Sequence, residues 1–287
     1  MTSDAASCAV VHACGERRPR VPGDRAWFDP RRELGRGYRH LPDASLYLLA
    51  AARQAQLVIG ESTNDHWGVC IASLSGSARL HDTIDESVIS GAAHLISPTL
   101  APHFSHNLLA SRLAMEYGIT GPCLSVHTPI TAGLDALALA VNMIESDRAT
   151  NIVVGAVEAP RHPCARGAHS EGAVVMTLSD ARGRQFLPGT AQISIEEYPR
   201  NALSWLLERS RVNTGRTIVS TDAATAVEID CVRSASVQLN PAYSSLSTLG
   251  PIVDMVRQQQ NGRVITVSES IVVAAVQVCE QPISIHA

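Results

Sequence analysis

One local order of elements occurs twice in this chain: a turn of small residues, a helix, a run of β-branched residues and a second strand, at 127–179 and again at 244–278. A duplicated α/β unit has to bury its strands from both faces, so the chain is confined to layers of helix and sheet in two related halves. In the first copy HTPITAG is the turn and LDALALAVNMIESD a helix with almost no polar face in its first three turns. NIVVGAVEA is then a continuous β-branched run and EGAVVMTLS the strand after it. A helix apolar all round is expected to be buried on every side, and a strand without alternation belongs in a sheet covered on both faces. In the second copy SSLSTLGP is the turn, IVDMVRQQQN the helix, and RVITVSES and IVVAAVQV the paired strands.

The remaining segments fill in around these copies. A strand is expected at 7–13, a surface loop over the Arg-, Pro- and Gly-rich stretch 15–38, and a helix over SLYLLAAARQAQLV capped by Asp43 or Ser45. HWGVCIASL (66–74) reads as a buried strand, 81–93 as a helix, and NLLASRLAMEYG (107–118) as an amphipathic helix closed by Gly118. CLSVH, AQISIEEY and RTIVSTD read as strands, NALSWLLERS as a helix, and 223–240 is ambiguous. The expected division is an N-terminal half, 1–185, and a shortened C-terminal half, 186–287.

Composition narrows the function classes. With 45% hydrophobic and 17% charged residues the chain carries enough apolar material for a sizeable core. A net charge of −4 leaves no basic excess to neutralise a phosphate backbone, so nucleic acid is not an expected partner. No apolar run approaches the roughly 20 residues of a membrane span, and MTSDAASCAVVHACG lacks the basic start of a secretory signal; no membrane partner and a cytoplasmic location are expected. Seven Cys, without a CxxC pair and mostly inside apolar runs, read as reduced, buried thiols. All 23 basic residues are Arg, which excludes Schiff-base chemistry, a Lys general base and a phosphate-loop Lys.

Two related α/β halves with a buried helix directly after a turn resemble the thiolase fold, in a layered α-β-α-β-α arrangement, and the local sequence is similar to that of β-ketoacyl synthases. Their "GP…VxTACSSSL" element is matched by Gly121, Pro122, Val126, Thr128 and Leu134. Further likenesses are FDPRRELGRGYRHLPDASLYLLAAARQA (28–55), DHWGVCIAS, SPTLAPHFSHNLLASRLAMEYGITGP, SEGAVVMTLSDARGR and GRVITVSES, in the family's order. Within the family the chain most resembles chain-length factors, the catalytically silent partners of type II ketosynthases, whose "TEQAGGLDALAqA" is echoed by the run AGLDALA (132–138).

The resemblance implies a nucleophilic Cys at the helix start, assisted by two His of the second half. Ile130 stands at the position of that Cys and has no nucleophilic atom; between Ser170 and Ile285 there is no His. The family's HGTGT-like loop corresponds to VSTDAAT and its GHxxGA-like turn to STLGPI. A silent subunit can still set how far an acyl chain grows, since side-chain volume at the end of a tunnel is a steric stop. The candidate tunnel and interface residues are Met115, Cys123, His127, Thr128, Pro129, Ile130 and Thr131. The implied partners are an active ketosynthase subunit, in a heterodimer, and an acyl carrier protein; a homodimer is also open. No cofactor is implied. His103, His106 and His127 with Cys123 form an HxxH-containing set, and His162, Cys164 and His169 lie together in RHPCARGAH, but without carboxylate partners both read as polar decoration and no metal is expected. Two alternatives stay open: a diverged acyltransferase or hydrolase using Cys123, Cys164 or a His, and a homodimeric degenerate synthase that binds acyl chains.

Overall fold

The computed structural model describes residues 7–20, 24, 26–38, 40–57, 59, 66–128, 131–159, 171–181, 191–202, 206, 216–221, 237–241, 244–267 and 270–278. Its strands are β1 (Ser7–Arg17), β2 (Trp67–Ala72), β3 (Cys123–Val126), β4 (Asn151–Glu158), β5 (Gly172–Asp180), β6 (Ala191–Pro199), β7 (Arg216–Thr221), β8 (Val237–Pro241), β9 (Gly262–Val267) and β10 (Ser270–Val278). They hydrogen-bond into one ten-stranded sheet in the order β3-β2-β4-β5-β1-β6-β10-β9-β7-β8. Read inward from either edge, each set of five gives its third, second, fourth, fifth and first strand. Pairing senses repeat as well: β2 is parallel to β3 and β4 as β7 is to β8 and β9. In both sets the fourth and fifth strands and the fifth and first are antiparallel. The sets meet where β1 pairs antiparallel with β6, from Ser7 opposite Ile195 to Val11 opposite Ala191.

The helices are α1 (Pro30–Leu34), α2 (Asp43–Gln54), α3 (Ala78–Ile89), α4 (Leu108–Tyr117), α5 (Ala132–Glu145) and α6 (Leu246–Arg257). Leu134, Leu137 and Val141 of α5 and Leu249, Ile252 and Val253 of α6 share one core with strands of both sets, among them Ile152, Val154, Ile218 and Val264. Leu48, Leu49 and Leu113 of α2 and α4 cover the other face of the first set, against Ile71, Val153 and Val175. Leu206, Val219, Ile265 and Val273 form a third cluster. Along β4 the side chains alternate between the first two clusters, Ile152, Val154 and Ala156 facing one and Val153 and Val157 the other. That alternation between two apolar faces is why the run NIVVGAVEA carries no polar period.

Gly133 sets the approach of the two central helices. A Cβ there would lie 2.2 Å from Thr248 Oγ1 and 2.6 Å from the Ser245 carbonyl oxygen, so only glycine permits the crossing.

Several boundaries differ from the sequence expectation. Strand β1 runs to Arg17, into the stretch expected as surface loop, because Gly15 passes so close to α2 that a Cβ would meet the Ala51 carbonyl oxygen at 2.1 Å. The same stretch holds α1, whose Asp29 cap accepts from Arg31 N. Neither Asp43 nor Ser45 caps α2: Pro42 is the N-cap, with ψ 151, and both residues lie inside the helix. Helix α3 begins and ends earlier than 81–93. The expected turn SSLSTLGP is largely helix, with Pro251 inside α6; burial of Leu246, Leu249, Ile252 and Val253 outweighs the hydrogen bond that proline cannot make. Helix α5 is not buried on every side, since Leu139 is 42% exposed and Asn142 is exposed too. Of the helix expected at NALSWLLERS, most lies outside the described residues, as do most of 223–240 and the loop 160–170.

Candidate functional site: the turn that starts the first buried helix

Strand β3 is the outermost of its set and pairs in parallel with β2, Cys123 opposite Val69 through Val126 opposite Ala72. The chain leaves it through His127 and Thr128 and enters α5 at Ala132, with Thr131 as N-cap. Pro129 and Ile130 lie outside the described residues, as do His162, Cys164 and His169.

The turn closes on its own helix. Thr128 Oγ1 and Thr131 Oγ1 both donate to Asp135 Oδ2, the latter over 2.6 Å. Asp135 stands in the first turn of α5, where a carboxylate offsets the positive end of the helix dipole. His127 is held from two sides: Nδ1 lies 2.5 Å from the Ser73 carbonyl oxygen and Nε2 3.2 Å from that of His106. Carbonyl oxygens only accept, so the shorter contact assigns a proton to Nδ1. The His106 ring stands edge-on, 5.3 Å away.

Cys123 is half-buried on β3. Asn107 Nδ2 lies 3.8 Å from its sulfur and Ser111 Oγ 4.0 Å, while Asn107 Oδ1 accepts from Ser125 Oγ at 3.0 Å. An amide and a hydroxyl are not bases; among the described residues these two groups hold the thiol in place. On the neighbouring β2, facing the opposite side of the sheet, Cys70 is fully buried, and desolvation, with the Cys123 thiol adding, pushes its pKa up to about 12.

Helices α4 and α5 both pack on β3, and both leave apolar side chains in solvent. Met115 on α4 is 73% exposed, Leu124 on β3 37%. The structure therefore joins Thr128 and Thr131 through Asp135, ties His127 to Ser73 and His106, and places Met115 apart from both on the outer surface of α4. His103 lies in the last turn of a 3-10 segment (Pro98–Phe104) and His106 in the turn that follows, so the HxxH pair does not share a helix. Among the described residues no group of three or more His, Cys, Asp or Glu converges to hold a metal, and no helix is long and apolar enough to cross a membrane.

Three residues of this region escape sequence reasoning. Glu158, at the end of β4, is buried and accepts from Leu74 N (3.0 Å), Ser75 N (2.6 Å) and Ser75 Oγ (2.5 Å), and across the core from Ser245 N (2.9 Å) and Ser245 Oγ (2.7 Å). One carboxylate thus fixes both the loop after β2 and the start of α6. Its signal is a lone acid closing an apolar run; that of Asp135 is an acid in a first helical turn. Asn107 gives none, because its partners come from β3.

Residues 39–189, more than half of the chain, match the family model for the β-ketoacyl synthase N-terminal domain. A 3-oxoacyl-[acyl-carrier-protein] synthase 2 of Vibrio cholerae is 26% identical over 132 residues, 46% of this chain and 32% of that protein. One of Staphylococcus aureus is 25% identical over 126 residues, 42% and 31% of the two chains. The match thus spans about a third of the length of these curated relatives. Among solved structures, a type II polyketide synthase acyl-carrier protein in complex with its ketosynthase bound to the hexaketide superposes at TM-score 0.69, with 15% identity over 96% of this chain and 100% of that one. The ishigamide ketosynthase/chain length factor gives 0.69 as well, with 16% identity over 94% and 99%. These likenesses establish a thiolase-like ketosynthase fold, and the chain belongs to the β-ketoacyl synthase family.

Proposed function

We propose that this chain is a non-catalytic, chain-length-factor-like ketosynthase homologue. It pairs with an active ketosynthase in the cytoplasm and lends the β3 edge and the following turn to the wall of an acyl tunnel, in type II polyketide or fatty-acid synthesis on an acyl carrier protein. The observation that carries this reading is a strand at the edge of the sheet among the described residues, bordered by exposed apolar side chains, Leu124 on β3, Met115 on α4 and Leu139 on α5, next to a turn where Ile130 stands at the position the resemblance gives to a nucleophile. An edge strand with apolar flanks is a template for strand addition by a partner. Support also comes from the two similar structures, whose names pair a ketosynthase with a chain length factor or a carrier protein. In this reading the chain divides into halves 1–185 and 186–287, the second shortened.

Copurification with candidate ketosynthases tests it. A stable complex burying at least about 1,200 Å² is expected, with Leu124→Arg weakening it at least tenfold. A chain that only self-associates around a bound, unmodified acyl ligand would instead mark a homodimeric acyl-binding protein. A covalent acyl adduct on Cys123 or Cys164 after incubation with acyl thioesters would overturn the silent role.

A further inference from the structure

A cavity of about 440 Å³ lies beside the candidate turn, between α2, α3, α4 and the loop after β2. Its wall carries four imidazoles, His81, His103, His106 and His127, together with Ser45 and Ser73. Three helices begin at it: α2 with Pro42 and Ser45, α3 with Ser77 and Ala78, and α4 with Leu108 and Leu109. None of the three has a side-chain cap; Ala78 N and Leu108 N, at the starts of α3 and α4, donate to the Ser75 and Ser105 carbonyl oxygens, and three positive dipole ends meet at one space. No carboxylate stands among the described lining residues. The nearest acid on α2, Asp43, is held by Arg79 NH1 at 2.5 Å.

Two lining side chains are buried without a partner. Ser45, 1% exposed, leaves Oγ unbonded, and His103, 7% exposed, leaves Nδ1 unbonded. Buried polar atoms in folded proteins are almost always paired, and two orphans in one cavity call for a partner that enters it. Leu74, Leu108 and Leu109 give the same wall an apolar part.

We infer that this cavity binds a small oxyanion, a carboxylate or phosphate head on a short apolar body. The head takes the helix N-termini, the Ser45 hydroxyl and the imidazoles of His81, His103 and His106, while His127 stays on the Ser73 and His106 carbonyls and lines the wall; the body lies on the leucines. The inference does not rest on pairing with a ketosynthase and is tested on the full chain alone. Hexanoate, hexyl phosphate and the neutral hexanamide are titrated by calorimetry, with imidazole signals followed in ¹³C-histidine-labelled protein. Expected is saturable binding of hexanoate or hexyl phosphate at least tenfold tighter than of hexanamide, with shifts at His81, His103, His106 and His127; the tighter of the two anions identifies the head. Ser45→Ala and His103→Leu each lower that affinity several-fold. The Ser45→Ala chain melts within about 2 °C of the parent, so this arm stands even where His103→Leu does not fold. Equal binding of hexanamide, unchanged affinity in Ser45→Ala, or no saturation up to 10 mM, which would leave a water-filled space, overturns the inference.

Discussion

The two central helices, α5 and α6, occupy equivalent places in their halves but start in opposite ways. The start of α6 is buried throughout 244–250 and is fixed by Glu158, a residue of the other half 87 positions away. The start of α5 is fixed by Asp135, four residues after Thr131, and its Thr128 is exposed. A long-range buried anchor ties the α6 start to the integrity of the whole core, whereas the acid at the α5 start comes from its own first turn. Asp135 also places a negative charge where a thiolate would otherwise draw on the helix dipole. The α5 start thus carries its own local counter-charge, while the α6 start is held by an acid from across the core.

Breaking the crossing itself has the largest expected effect. Gly133→Ala destabilises the chain by about 3 kcal/mol in chemical denaturation, because the new Cβ meets both Thr248 Oγ1 and the Ser245 carbonyl oxygen. Thr248→Ala recovers only part of this loss, since the second clash is with main chain. Removing the long-range anchor comes next. Glu158→Gln keeps the shape but loses the charge that five hydrogen bonds converge on, at about 2 kcal/mol.

The strands beneath the two helices sharpen the comparison through pH. Cys70 on β2 and Ile218 on β7 both face the central core. With its pKa raised in the fold to about 12 from an ordinary 9.0, Cys70 keeps its proton when the unfolded chain loses it. Its contribution is full below pH 9 and declines as pH rises toward 12, by at most about 1.4 kcal/mol per pH unit. In denaturation measured at stepped alkaline pH, Cys70→Val flattens that decline. The smallest expected effect belongs to the local anchor: Asp135→Asn costs about 0.5–1 kcal/mol. In an Ile130→Cys chain the same change raises the rate of thiol alkylation at pH 7 about threefold. Equal rates with and without Asp135 would show that this carboxylate does not neutralise the α5 start.

Period and duplication made most of the architecture legible. The β-branched runs became β4, β9 and β10, the Gly118 stop closed α4 in the left-handed conformation, and the twofold order of elements reappeared as twofold strand order. Legibility failed where a distant segment supplied the reason. Gly15 extends β1 because α2 lies against it, Pro251 is tolerated inside α6 because the core holds both sides of it, and Glu158 matters because Ser75 and Ser245 arrive from 83 and 87 residues away.

Within the candidate site the division is the same. The residue types were decided by sequence alone: no Lys anywhere, no His from Ser170 to Ile285, and an aliphatic Ile130 ahead of the helix AGLDALA. Composition and local period are properties of one stretch of chain, and they dictate what chemistry is available and which elements form. Only the tertiary structure decided which groups meet: the threonines on Asp135, His127 on Ser73, and a cavity where three helix starts, four imidazoles and two unpartnered polar atoms come together. Such meetings depend on how segments far apart in sequence pack, and no local pattern encodes that.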